Sequence, residues 1–435
     1  MFLGSDVEKN RWKKISLRDF FSLFKTKNFL KKSNFSHFMQ KFFTLKDLNV
    51  EGKRVLVRVD FNVPLDKETN EITDDKRIRE TLPTINFLIK KNARIILCSH
   101  LGRPDGKIVD SLRMDKVAAR LSRLLGKKVE KLDDCIGNQV KEEIDKMKNS
   151  DVIILENLRF YPQEEKNDKY FSKQLSDLAD FYVNDAFGTC HRAHASTYGV
   201  ADYLQSAAGF LVEKELVIMG KAMESADRPF IGILGGAKIS DKINVIKNLL
   251  SKVDKLLIGG AMIFTFYKAQ GKNIGASKLE SDKIDLAKEL LKNDKIVLPL
   301  DIVIADKFEA DAKSEVVDAD SIPDGWIGLD IGPETIKHYD SILKNAKTVI
   351  WSGPMGVFEF DKFADGTKEI AKFLSKSKAV TIVGGGDSAA AVEKFGYADK
   401  LTHVSTGGGA SLEFFEGKKL PGIEALEKSY NRFRN

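Results

Sequence analysis

The chain is short of the features that mark secreted, disulfide-held or membrane-spanning proteins. Its three cysteines, Cys98, Cys135 and Cys190, stand far apart and in no C-x-x-C spacing. That argues against a disulfide framework and a zinc site and for a reducing compartment. No apolar run reaches the roughly 18 residues needed to span a bilayer, and the longest, Leu256 to Tyr267, is interrupted by a Gly-Gly pair. Prolines number only ten in 435 residues, of which 43% are hydrophobic, a globular composition long enough for two or more domains. The main body also lacks a charge surplus. The net +7 resides entirely in the first 42 residues, which hold eight Lys and two Arg against two Asp and one Glu. The body therefore offers no basic face for nucleic acid and no membrane surface.

That first segment has neither strand alternation nor a helical stripe. It is expected to be a basic extension, 1–42, without stable structure. A targeting peptide and an amphipathic anchor are two readings of it. The preferred third takes Met39 as the true start, with the preceding stretch translated from an earlier codon.

From Arg54 onward, short β-branched runs alternate with longer charged, helical segments. The predicted strands are "RVLVRVD" (54–60), "ARIILCS" (93–99), "DVIILE" (151–156), "FYVND" (181–185), "FIGIL" (230–234), "KLLIG" (255–259), "IVLPLDIVIA" (296–305), "TVIWS" (348–352), "AVTIV" (379–383) and "LTHVS" (401–405). Most are continuously apolar, which is the pattern of parallel strands covered by helices on both faces. The expected fold is α/β: two doubly wound, Rossmann-like parallel-sheet domains joined by a linking helix near 208–228, with a C-terminal tail crossing back.

Ligands of such sheets lie beyond the carboxyl ends of the strands. In the first half these ends are polar: Asp60 and Asn62, His100 and Arg103, Arg159, then Arg192 flanked by His191 and His194, with Arg77 and Arg79 between the first two strands. Guanidinium forks grip carboxylate and phosphate, so convergence of several implies a small, multiply anionic substrate. In the second half the ends carry glycine, at Gly235–Gly236, Gly259–Gly260, Gly353 and Gly356, Gly384–Gly386 and Gly407–Gly409, with Lys238 and Lys242 nearby. One Gly-Gly is only a tight turn. Repeated at successive strand ends before helix N-termini, it reads as a nucleotide site.

Neither a Walker A motif nor the protein-kinase catalytic set is present. "GGGDSAA" does fit a dinucleotide fingerprint through Gly384, Gly386 and Ala389, leaving an NAD-dependent oxidoreductase as one alternative and a non-catalytic nucleotide-binding protein as another. Asp387 weighs against the first. A carboxylate a few Å from phosphate is repelled by roughly 1 kcal/mol even at water's dielectric, unless a divalent cation such as Mg²⁺ lies between them.

The motifs "RVDFNVP", "SHLGRP", "LENLRF", "NDAFGTCHRAHAST", "GGAKISDK", "GPMGVFE" and "GGGDSAA" together resemble phosphoglycerate kinase in order and spacing, from about Thr44 to about Leu426. The resemblance implies reversible, Mg²⁺-dependent phosphoryl transfer from 1,3-bisphosphoglycerate to ADP, giving 3-phosphoglycerate and ATP, in a cytoplasmic, monomeric enzyme of glycolysis and gluconeogenesis that closes about a hinge. It implies a phosphoglycerate-binding domain (43–207), a linking helix or hinge (208–228), a nucleotide-binding domain (229–404) and a returning segment (405–435). Carried over by motif, Asp60, Asn62, Arg77, His100, Arg103, Arg159 and Arg192 would bind phosphoglycerate. Gly236, Ala237, Lys238, Lys242, Gly259, Gly328, Glu359, Gly384, Gly385, Gly386, Asp387 and Ser388 would bind nucleotide, with Asp387 on the metal and Arg77 and Lys242 catalytic. One departure stands out: the family's "WNGP" is "WSGP" here, with Ser352 in place of Asn. The 42-residue extension is also outside the family pattern.

Overall fold

The computed structural model describes residues 41–434, so the expectations for the basic extension, including Met39, lie almost wholly outside the described residues. Chain contacts divide the protein into two compact bodies. One comprises residues 41–217 with 419–434, the other Ile218–Lys418. The division falls inside the helix Phe210–Ser225.

In the first body, β1 (Phe43–Thr44), β2 (Arg54–Arg58), β3 (Arg94–Cys98), β4 (Glu130–Lys131), β5 (Val152–Ile154), β6 (Phe181–Asn184) and β7 (Ser206–Ala208) form a seven-stranded sheet in the order β1-β7-β6-β2-β3-β5-β4. All its pairings are parallel. The central strands are buried on both faces, as their unbroken apolar sequence requires. Leu56, Ile96, Ile153 and Tyr182 share one core with Phe171 and Leu175 of the helix Lys169–Ser176. The strands β1, β4 and β7 were not anticipated, being two or three residues long and carrying no periodic signal. The three cysteines are free and buried, and burial pushes the Cys98 thiol up to about 12.

The last helix, Pro421–Phe433, belongs to this first body. Ile423 and Leu426 are buried, Ser429 Oγ accepts from Ser206 N at 2.9 Å, and Tyr430 stacks edge-on against Phe43, ring centroids 4.9 Å apart.

In the second body, β8 (Phe230–Leu234), β9 (Lys255–Ile258), β10 (Ile296–Val297), β14 (Thr348–Ser352), β15 (Val380–Val383) and β16 (His403–Val404) form a six-stranded sheet in the order β10-β9-β8-β14-β15-β16, again parallel throughout. Trp351, Val349, Ile233 and Tyr339 anchor its core. Here the structure corrects the sequence reading. The run 296–305 is not one strand: it divides into β10 and β11 (Asp301–Ala305) around Pro299, which has no N–H for a ladder. The strand β11 joins β12 (Ser314–Asp318) and β13 (Ile327–Ile331) in a separate antiparallel sheet. The strands β12 and β13 mix polar and apolar residues and were missed.

The packing of the returning helix yields a prediction. Leu426 is fully buried, so Leu426→Ala should destabilise the first body by about 2–5 kcal/mol. Denaturant unfolding would show an early transition in the first body, with that of the second left in place.

Candidate active site

The order β6-β2-β3-β5 sets the polar strand ends of the first body side by side. Two residues beyond β2 is Asp60, whose Oδ2 accepts from Arg77 Nη1 at 2.9 Å. Arg77 enters from the first turn of the helix Lys76–Lys90 and stays about one-third exposed, at 35%. Arg79, two residues on, points elsewhere. It is exposed and paired with Asp75 at 2.7 Å, because residues two apart on a helix occupy different faces. Beyond β3, Gly102 is gripped from both sides: its N–H donates to Asn62 Oδ1 at 2.8 Å and its carbonyl accepts from Arg159 Nη1 at 2.9 Å. Arg159 also pairs with Glu165 at 3.1 Å. Arg192, from the loop after β6, donates to His191 Nε2 at 3.1 Å. Arg103 is exposed and makes no hydrogen bond or ion pair among the described residues.

Sequence reasoning missed the centre of this cluster. Arg58, the last residue of β2, is 1% exposed. Its Nε donates to Ser196 Oγ at 2.7 Å and its Nη2 lies 3.2 Å from His100 Nδ1. Ser196 Oγ passes a hydrogen bond on to Glu164 at 2.5 Å, and Ser196 N donates to the same carboxylate at 2.9 Å. The available signal was an arginine inside an otherwise apolar, doubly covered strand, where a charge must have a partner.

The arginines decide the state of the imidazoles. His100 is held well below its ordinary pKa by burial first and then by Arg58, Arg159, Arg77 and Arg192. His194 is pushed down to about 3 by burial and by Arg58, Arg159 and Arg192. Both are neutral at physiological pH, so the positive charge of the cleft is guanidinium charge. Burial also raises the Glu164 carboxyl, against the pull of Arg58 and the Ser196 hydrogen bonds.

In the second body, the glycine turns press on one another as well as on open space. A Cβ on Gly260, whose φ is +69°, would stand 2.4 Å from Gly236 N, and one on Gly353, at φ +93°, would stand 2.1 Å from Gly235 O. Only glycine permits both the dihedral and the approach. Beside these turns lies a cavity of about 570 Å³ lined by Gly236, Ala237, Gly328, Glu359 and Asp387 among the anticipated residues, and by Phe264, Phe308, Phe360 and Lys278, which were not anticipated. Gly328 admits the Phe264 ring, which a Cβ would meet at 2.1 Å. The lining combines apolar side chains, glycine and alanine backbone, and the charged Lys278, Asp330, Glu359 and Asp387. Lys238 is exposed and makes no hydrogen bond or ion pair among the described residues. Gly259 is packed on Met355.

Gly384 and Gly385 lead into the helix Gly386–Lys394, with Gly385 as its N-cap. Ser388 Oγ, in its first turn, accepts from Gly353 N at 2.5 Å, joining two glycine turns. Asp387 is exposed there and makes no hydrogen bond or ion pair among the described residues. Lys242 Nζ lies 3.3 Å from Ser352 Oγ. Burial lowers the pKa of its ammonium, while Asp387, Asp241 and Glu416 work in the opposite direction. Asp387 lies in the first turn of this helix, where anions are favoured, and its charge favours the Lys242 ammonium. Among the described residues no group of three or more His, Cys, Asp or Glu is arranged to hold a metal. One free carboxylate fits a cation that arrives bound to phosphate, in the manner usual for Mg²⁺.

A buried carboxyl in the lining of the cavity, that of Asp330, gives a pH prediction. Asp330 accepts from Gly366 N at 2.7 Å and Ile331 N at 2.9 Å, yet burial pushes its pKa up to about 8. The folded state therefore keeps a proton that the unfolded state releases near pH 4. This contribution to stability is complete at low pH and is lost as pH rises through about 8. Thermal unfolding from pH 5 to 8.5 should show a smaller loss of Tm for Asp330→Asn than for the unsubstituted protein.

Comparison with known proteins agrees with this geometry. A family model described as phosphoglycerate kinase matches residues 45–418. A phosphoglycerate kinase of Picosynechococcus sp. is 59% identical over 389 residues, covering 88% of this chain and 98% of that protein. One of Moorella thermoacetica is 57% identical over 388 residues, with the same coverage. Among solved structures, phosphoglycerate kinase from Coxiella burnetii superposes with a TM-score of 0.81 at 40% identity, covering 89% of this chain and 99% of that one. The Pyrococcus horikoshii enzyme gives 0.79 at 36%, covering 90% and 100%. An arginine cleft on one parallel sheet, a glycine-built cavity on the other and this agreement along nearly the whole body place the chain in the phosphoglycerate kinase family.

Proposed function

We propose that the chain catalyses reversible transfer of the acyl phosphate of 1,3-bisphosphoglycerate to ADP, with phosphoglycerate held by the first body and nucleotide by the second. The observation that carries this reading is the pairing of four guanidinium groups around His100 with a helix N-terminus flanked by Lys242 and Asp387. The first suits a small polyanion and the second a nucleotide phosphate chain. The apolar lining of the cavity, including Phe264 and Phe308, suits the base.

In the forward direction an oxygen of the ADP β-phosphate attacks the acyl phosphorus. The bond from phosphorus to the carboxyl oxygen breaks and 3-phosphoglycerate leaves as a carboxylate. The nucleophile and the leaving group are both anions, so no general base is needed; positioning and charge neutralisation dominate. Arg77, oriented by Asp60, and Lys242, steadied by Ser352, neutralise the equatorial oxygens of the transferring group. Mg²⁺ bound with the nucleotide would add positive charge on its phosphate oxygens, and Asp387 is the residue that would hold it. Direct transfer requires the two sites to meet, so the reading includes closure about the helix Phe210–Ser225, which also keeps water from the acyl phosphate. It also takes the enzyme to act as a cytoplasmic monomer. The dinucleotide alternative is disfavoured by the free Asp387 carboxylate.

A coupled assay for phosphoglycerate-dependent ATP turnover tests the reading directly, and absence of turnover would overturn it. Arg77→Ala and Lys242→Ala should each lower kcat by about 10²–10³-fold; near-normal turnover in either would remove that residue from its role. Ser352→Asn should shift the nucleotide KM, since position 352 contacts Lys242, and kinetics across a nucleotide series would show it.

A further inference from the structure

The helix Phe210–Ser225 is started by residues far away in sequence. The first N–H groups of a helix have no partner within it, and the residue before this helix is Gly209, which has no side chain to offer. Instead, Phe210 N donates to Thr84 Oγ1 at 2.9 Å and Leu211 N donates to Asp185 Oδ1 at 2.8 Å. Thr84 and Asp185 are both fully buried at this corner, each accepting one of the first two N–H groups of the helix. The lack of a Cβ at Gly209 lets the Asp185 carboxyl lie against the chain, where a Cβ would stand 2.2 Å from Oδ1.

The two capping residues come from the elements that carry the anion-binding arginines. Thr84 lies on the helix Lys76–Lys90, seven residues and two turns after Arg77, and hence on the same face. Glu80 and Phe87 continue that stripe. Glu80 pairs with Lys214 at 3.3 Å, and the Phe87 ring packs edge-on against Phe210 with centroids 5.2 Å apart. Asp185 begins the loop that runs on to His191, Arg192 and His194, and its own N–H donates to Arg58 O at 2.8 Å. The Arg77 helix and the loop leading to Arg192 therefore both cap the first turn of Phe210–Ser225.

We propose that Thr84 is a positioning residue for phosphoryl transfer: its hydroxyl fastens the Arg77 helix to the start of the helix Phe210–Ser225, beside the cap supplied by Asp185, so that occupation of the arginine cluster acts on the helix that continues into the second body. This rests on the reading of that cleft as the phosphoglycerate site. Thr84 touches no substrate, and its effect falls on the step after binding.

Steady-state kinetics and calorimetric 3-phosphoglycerate binding on Thr84→Val, Thr84→Ser and the unsubstituted enzyme test the idea. Thr84→Val keeps the shape and removes the hydroxyl. It should lower kcat about tenfold while leaving the 3-phosphoglycerate KM and Kd within about threefold, and Thr84→Ser should restore kcat to within about twofold. Three results would overturn the proposal: an unchanged kcat in Thr84→Val with only a lower Tm, a raised KM at unchanged kcat, or a serine variant as impaired as the valine. Should Thr84→Val not fold, Glu80→Gln on the more exposed part of the stripe serves instead. A lower kcat at constant KM then supports the proposal and an unchanged kcat removes it. Lack of turnover in the unsubstituted enzyme is the separate failure of the functional reading itself.

Discussion

A guanidinium with almost no exposure, that of Arg58, is the interaction on which the first body's cleft depends. Burying an ion costs several kcal/mol unless its hydrogen bonds are met. Here they are met by Ser196, by the Val59 carbonyl and by the His100 ring, with Glu164 one hydrogen bond further on. Those partners come from the ends of three different chain segments, and the requirement to satisfy one buried cation holds them in register. The consequence is electrostatic as well as mechanical. With Arg58, Arg159 and Arg192 around both, and Arg77 beside His100 as well, the imidazoles stay neutral. The positive charge there then rests on guanidinium groups, which present fixed forks of donors.

The second body solves a related problem with backbone. Three glycine turns meet almost atom on atom, and the space they leave is a cavity with aromatic walls and a helix N-terminus at its rim. Ser388 and Trp351 secure the arrangement, the one accepting from Gly353 N and the other donating to Gly353 O at 2.8 Å. Side chains that can face phosphate, Lys242 and Asp387, stand outside this rigid frame. That division suits a site whose ligand brings its own charge and cation, since the protein needs only to present fixed dipoles and a few complementary ions.

Much of this was legible in the sequence. Continuous apolar runs announced parallel strands, and their polar or glycine-rich ends announced a chemical difference between the two bodies. Asp387 was informative for a local reason: a carboxylate beside a glycine turn conflicts with a bare phosphate. The glycines, by contrast, were read as making room for ligand, and several of them make room for one another. Gly260 against Gly236 is a contact between residues on neighbouring turns that no local pattern records.

Other features were not decided by neighbouring residues alone. Arg77 and Arg79 look alike in sequence, and only the phase of their helix relative to the sheet sends one to Asp60 and the other to Asp75. The run 296–305 reads as one strand until Pro299 is seen to separate pairings in two different sheets. Arg58 looks like an intrusion into a strand until Ser196, 138 residues away in sequence, is folded against it. The sequence by itself determined most of the longer buried strands and which residue types follow them, because periodicity and residue type act over a few neighbours. Only the tertiary structure decided which charges meet, because burial and hydrogen bonding depend on segments brought together from opposite ends of the chain.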